Sequence, residues 1–181
     1  GTRVAQDFFK RSYEPIMTPA VNSWVFAPDP QDKGEMEQWF AKTIEEPVAL
    51  KGPLGADFFF EGWDGTQPVA KWVVATYGEG KNVPVVNGWY QVVFNVPADK
   101  LPADVVVLVP YVAGSAKIWL NDILVREVTQ EQGAADEAIV IPLADTVIKA
   151  VEPFRLTIKV TKPDGQAGLI GPAYLAKPVA N

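Results

Sequence analysis

Apolar residues in this chain fall into short runs, each soon broken by glycine, proline, asparagine or aspartate. The cleanest run is Phe154-Arg155-Leu156-Thr157-Ile158-Lys159-Val160, which alternates with a period of two. That spacing predicts a strand with Phe, Leu, Ile and Val on a core and Arg, Thr and Lys facing water. Trp89 to Val96 predicts a second strand, closed by Pro97-Ala98-Asp99. Val105 to Tyr111 is apolar without alternation, which predicts a strand buried on both faces. Ala116 to Leu120 and Ile123 to Val125 flank Asn121-Asp122. Two strands separated by two residues that tolerate positive φ predict a hairpin. Ala138 to Leu143 reads as a further strand, followed by a short turn or single helical turn over Ala144 to Ile148.

The first half is less regular. Ser23 to Ala27 predicts a strand stopped by Pro28-Asp29-Pro30. Asp32 then fits the N-cap of a short helix, with Glu35 as its box partner three residues on. Such a helix folds Trp39 and Phe40 onto the core. Asp57 to Glu61 and Ala70 to Ala75 are strand-like by content, with Gly62-Trp63-Asp64-Gly65 as a turn between them. Gly78 to Val86 reads as a loop. Residues 1–21 read as a leading segment and residues 22–181 as one domain. Many short strands with turn signals between them favour an all-β sandwich over βαβ units.

Composition narrows the chemistry. The 181 residues suit one domain with a substantial core, and 48% are hydrophobic. The formal net charge of −6 argues against nucleic acid as a partner, since phosphate binding needs a basic surface. Without cysteine there are no disulfides or thiolate metal sites, and the compartment stays open. Without histidine the most common general base, the Ser-His-Asp triad and nearly all zinc sites are removed. Asp29, Asp32, Glu35 and Glu37 carry the oxygen ligands calcium uses, but their placement reads as turn and cap chemistry. No cofactor is therefore expected, although structural calcium stays open. No apolar run has the length of a transmembrane helix, so no membrane insertion is expected. Gly1-Thr2-Arg3 lacks the charged-then-apolar layout of a secretory signal.

Five segments, in order, resemble the sugar-binding domain of family 2 glycoside hydrolases. Trp24-Val25-Phe26-Ala27-Pro28-Asp29-Pro30 with Gly34 to Phe40 is similar to the family's opening strand and G-x-x-x-x-W-F turn. Gly88-Trp89-Tyr90-Gln91-Val92-Val93-Phe94-Asn95-Val96-Pro97 is similar to its G-W-Y-x-x-x-F-x-V-P strand. Ala116 to Asp122 is similar to its x-x-W-[LV]-N-G hairpin, with Asp122 where glycine is usual. Phe154 to Val160 and Gly168 to Leu175 are similar to its later strand and closing segment. The resemblance covers Asn22 to Leu175 and departs from the pattern over Glu45 to Val86. It implies a galactose-binding-like jelly roll. It also implies a non-catalytic accessory role, because the family's catalytic acids sit in a separate barrel domain. The expected partners are carbohydrate and the neighbouring domains of a larger protein. The expected location is extracellular, periplasmic or in the cell envelope. The competing reading is a structural or interaction sandwich without sugar binding, since one fold serves many roles.

Sugar recognition uses a flat ring beside hydrogen-bonding groups, so the aromatic residues are the candidates. Trp119, Trp24 and Trp89 sit in predicted strands and read as core. Trp63 with Asp64, between Gly62 and Gly65, is the first choice for a carbohydrate contact. Tyr77 and Trp39 come next. No catalytic or metal-ligating residue is assigned.

Overall fold

The structure, a computed structural model, describes residues 13–20, 23–29, 31–44, 48–49, 87–110, 112–129, 138–145, 153–161, 168–169 and 173–179. The described elements are strands and short 3-10 turns. The strands are β1 (Tyr13–Met17), β2 (Val25–Pro28), β3 (Val48–Ala49), β4 (Asn87–Phe94), β5 (Val106–Val109) and β6 (Val112–Ala113). They continue with β7 (Ser115–Leu120), β8 (Ile123–Val128), β9 (Ile139–Pro142), β10 (Phe154–Thr161), β11 (Gly168–Leu169) and β12 (Tyr174–Pro178). A six-stranded sheet runs β3-β2-β4-β10-β7-β8, and a four-stranded sheet runs β1-β12-β5-β9. All their pairs are antiparallel. From β4 onward the chain passes repeatedly between the large and the small sheet, the course of a jelly roll. Among the described residues, no helix is long and apolar enough to cross a membrane.

Among the described residues the strands read from the sequence are present, with ends shifted by up to three residues. The strand-like stretches Asp57 to Glu61 and Ala70 to Ala75, with the turn read between them, lie outside the described residues. Asn121-Asp122 makes the two-residue turn between β7 and β8, and Asn121 has φ 53°. A bulge beside Ile118 and Trp119 shifts the register in that hairpin. β5 is buried on both faces, as its unbroken apolar run predicts. β1 lies within residues 1–21 and pairs with β12.

The main core lies between the sheets. Tyr90, Val92 and Phe94 of β4, Leu156, Ile158 and Val160 of β10, and Ile118 and Leu120 of β7 meet Val107, Val109, Ile141 and Leu175. Burying each large apolar side chain contributes about 1.5–3 kcal/mol, so this layer dominates stability. Two smaller clusters lie apart from it. One is Val106, Leu108 and Ala176. The other surrounds Trp89 and Trp119, with Ala27 and Ile44.

β2 ends at Pro28, the first residue of the predicted stop, although Pro28 still pairs with Gly88 and the Asp29 N–H donates to Asn87 O at 2.9 Å. Proline removes one ladder N–H, and at the last position of a strand the pairing survives that loss. Two expectations are corrected. No helix follows Asp32. Its φ of 52° lies in the left-handed region, and the chain makes a turn over Gly34 to Gln38 and a 3-10 turn at Trp39–Ala41. The polar face of β10 does not meet water: Thr157 is 0% and Lys159 5% exposed. Residues 31–44 cover it.

Candidate functional site

Residues 29 and 31–44 follow β2 and lie across the outer face of the six-stranded sheet, forming a strap. Its first anchor is Asp29, which is buried. Its carboxylate accepts hydrogen bonds from the Lys33 and Gly34 N–H groups, both at 2.8 Å, and from Trp89 Nε1 at 3.0 Å. Three donors satisfy the charge that burial would otherwise penalise. Asp29 thus does the capping that the sequence pattern assigns to Asp32. Gly34 is needed for close approach, because a Cβ there would lie 2.6 Å from Cε2, Cζ2 and Nε1 of Trp89.

The second anchor is Gln91 on β4. Its Oε1 accepts from Ile44 N–H at 2.9 Å. Its Nε2 donates to Lys42 O at 2.9 Å and to Thr157 Oγ1 at 3.1 Å. Arg155 Nε adds a bond to Phe40 O at 3.2 Å. The strap is therefore fixed to the sheet chiefly by side chains.

Beneath these bonds lies a row of rings. Phe40 stacks on Trp119 with centroids 4.8 Å apart and planes 2° from parallel. Trp119 stacks on Trp89 at 5.2 Å, and Trp39 tilts against Trp89 at 5.7 Å. Lys159 Nζ lies 5.7 Å from the centre of the Trp89 ring, within cation–π range.

Charges close the other side. Lys159 Nζ meets Glu35 Oε2 at 2.6 Å and Asp32 Oδ1 at 2.7 Å, while Lys117 Nζ meets Glu35 Oε1 at 2.9 Å. Burial tends to raise the Glu35 carboxyl, but the two lysines outweigh it and hold it below its ordinary value. Burial tends to lower the Lys159 ammonium, but Asp32 and Glu35 raise it above its ordinary value.

Of the candidate contacts, Trp63, Asp64 and Tyr77 lie outside the described residues. Trp39 is half-buried at the rim of the strap, and its Nε1 donates to Glu37 Oε1 at 3.1 Å. Trp24, Trp89 and Trp119 are buried, as read. Trp89 and Trp119 are buried under the strap, however, and not in the main core. The four acidic residues turn to N–H donors and lysines and do not converge on a common point. Among the described residues no group of three or more acidic side chains is placed to hold a metal ion. The arrangement holds the strap down: its carboxylates are taken up by N–H donors and ammonium groups.

Sequence reasoning missed Gln91, Thr157, Lys159 and Lys117 as members of this cluster. A signal was present. Trp89 and Gln91 share the parity of β4 that faces away from Tyr90, Val92 and Phe94. Trp119 likewise stands opposite in parity to Ile118 and Leu120. Large rings on the outer parity of two strands indicate a face that something covers.

No protein-family model matches the chain, and no curated protein matches it. Solved structures do. A Ruminococcus gnavus β-glucuronidase aligns with TM-score 0.59 and 12% identity, over 91% of this chain and 30% of its own. The R. gnavus enzyme in complex with an N1-substituted uronic isofagomine gives TM-score 0.61 at 11% identity, over 91% and 31%. A β-glucuronidase from an uncultured Clostridium sp. gives 0.57 at 17%, over 91% and 31%. At these identities the likeness is one of fold. The chain spans less than a third of the length of the proteins it matches.

Proposed function

We propose that this chain is a non-catalytic accessory domain of a larger glycoside hydrolase, of the carbohydrate-binding type. One observation carries the reading: a sandwich likeness over 91% of this chain takes up only 30% of a β-glucuronidase. A sandwich that is a minor part of a hydrolase has neighbouring domains as its first partners. Carbohydrate is the second partner, and an extracellular, periplasmic or envelope location suits that role.

The Trp63–Asp64 turn is the first proposed contact, with Tyr77 and Trp39 after it. Trp39 adds a partly open ring fixed on one edge by Trp89 and flanked by the Glu37 carboxylate. Affinity is weak, roughly micromolar to millimolar, because one stacked ring and a few hydrogen bonds leave little net free energy after desolvation. Fluorescence and calorimetric titration with a broad glycan panel tests this, using the parent, Trp63→Ala and Trp39→Ala. Binding lost in Trp63→Ala supports the assignment, and binding lost only in Trp39→Ala moves the contact to the strap. A parent that binds nothing in the panel refutes the carbohydrate role.

A second reading, a structural or interaction module, is favoured by the use of Trp24, Trp89 and Trp119 inside the fold. It predicts no saccharide binding and a Trp63 turn that rests on an adjoining domain.

A further inference from the structure

Lys117 and Lys159 are register partners on adjacent strands β7 and β10. Like charges placed directly opposite each other across a sheet repel. Here one carboxylate lies between them: Glu35 gives Oε1 to Lys117 and Oε2 to Lys159. Asp32 assists Lys159 only, and Glu127 stands 3.9 Å from Lys117. The remaining acidic group at this end of the strap, Asp29, is occupied by Lys33 N–H, Gly34 N–H and Trp89 Nε1. Glu35 is thus the one described group that neutralises both lysines and ties them to the strap.

The strap is also separable from the sandwich. Its apolar contacts are Ala27, Ile44, Trp89 and Trp119 with Val25, Trp39 and Phe40, a cluster apart from the core between the sheets. Its internal turns close on themselves, as in Glu37 N–H to Lys33 O and Trp39 N–H to Gly34 O, both at 2.9 Å. Lifting it costs the side-chain bonds of Asp29, Gln91, Arg155 and Glu35 but leaves the strand ladders intact. Segments of this kind open below the global unfolding free energy.

We propose that the strap is a latch with Glu35 as its catch. In acid it lifts from the six-stranded sheet as a unit while the sandwich beneath stays folded, baring the Trp89–Trp119 face beside Gln91 and Thr157. The sign follows from linkage. A carboxylate held below its ordinary value of 4.5 stabilises the closed form above that pH. The stabilisation is lost as pH falls through the depressed value. Lys159, held above its ordinary value, keeps its charge throughout this window.

Hydrogen exchange of the whole chain between pH 7 and 3, corrected for intrinsic rates, tests the latch. The strap amide of Ile44, which donates to Gln91 on the sheet, is expected to lose protection with acid before the amides of Gln91 and Ile158. At pH 7, Glu35→Gln is expected to raise strap opening about tenfold, the scale of losing a charge-assisted bond still partly in water. It should also flatten the acid response, whereas Glu37→Gln should behave as the parent. If strap and sheet amides lose protection together in the parent at every pH, the latch is refuted. It is also refuted if Glu35→Gln retains the full acid response. The parent series decides alone should Glu35→Gln fail to fold.

Discussion

Gly34→Ala adds one carbon to the strap, and its effect should be opposite in sign to the usual one. Replacing glycine with alanine where the backbone suits both stabilises by about 0.4–1 kcal/mol, because the unfolded chain loses freedom. The described glycine with positive φ is Gly114, so backbone conformation raises no objection at Gly34. Space does. The new Cβ would stand 2.6 Å from three atoms of the Trp89 indole. The ring cannot retreat readily, being fully buried, stacked on Trp119 at 5.2 Å and bound to Asp29 at 3.0 Å. Nor can the strap rise freely, since Gly34 N–H itself donates to Asp29 at 2.8 Å. Overpacking a filled site costs about 1–3 kcal/mol. Weakening a buried bond to a carboxylate adds up to about 1.5–3 kcal/mol. After the entropic gain is subtracted, the net expectation is a loss of about 2–4 kcal/mol. Urea unfolding at pH 7, followed by tryptophan fluorescence and far-ultraviolet circular dichroism, measures it. A double-mutant cycle with Trp89→Leu identifies the cause: the cost of Gly34→Ala should fall by about 1 kcal/mol or more once the indole is gone. A Gly34→Ala midpoint at or above that of the parent would refute the close approach on which the strap's position depends.

Trp119→Ala is expected to lose about 3–5 kcal/mol in the same urea assay, as buried large aromatics do. It removes the ring shared by Phe40 and Trp89, and a midpoint within error of the parent would place that ring in solvent. Stability should also fall as pH rises above about 10. Burial holds the Tyr90 phenol above its ordinary value of 10.0, and Lys159 is held above 10.5 despite its own burial, so the folded chain keeps protons that the unfolded chain releases. Urea midpoints that stay flat or climb between pH 9 and 11.5 would contradict this.

The strands and the hairpin were legible because their signals are local. Alternation along Phe154 to Val160 assigns each side chain to a face, and Asn121-Asp122 offers the positive φ that a two-residue turn needs. The family resemblance likewise rests on motifs within single strands. Parity, however, says which side a residue takes and not whether that side is wet. Lys159 and Thr157 sit on the polar parity of β10 and are buried all the same, because residues 31–44 lie over them. The bonds that hold the strap join residues far apart in the chain: Ile44 to Gln91 across 47 positions, and Asp32 to Lys159 across 127. No window of sequence contains both ends of such a bond. The role of Asp29 was hidden for a related reason. Aspartate three or four residues before a turn fits several caps, and the path of the chain leaving β2 decides which carboxylate reaches Lys33, Gly34 and Trp89. Sequence alone thus determined the strand pattern and the β class. Tertiary structure decided which of the sheet's two faces becomes a second, covered surface, because covering a face depends on where a distant segment comes to rest.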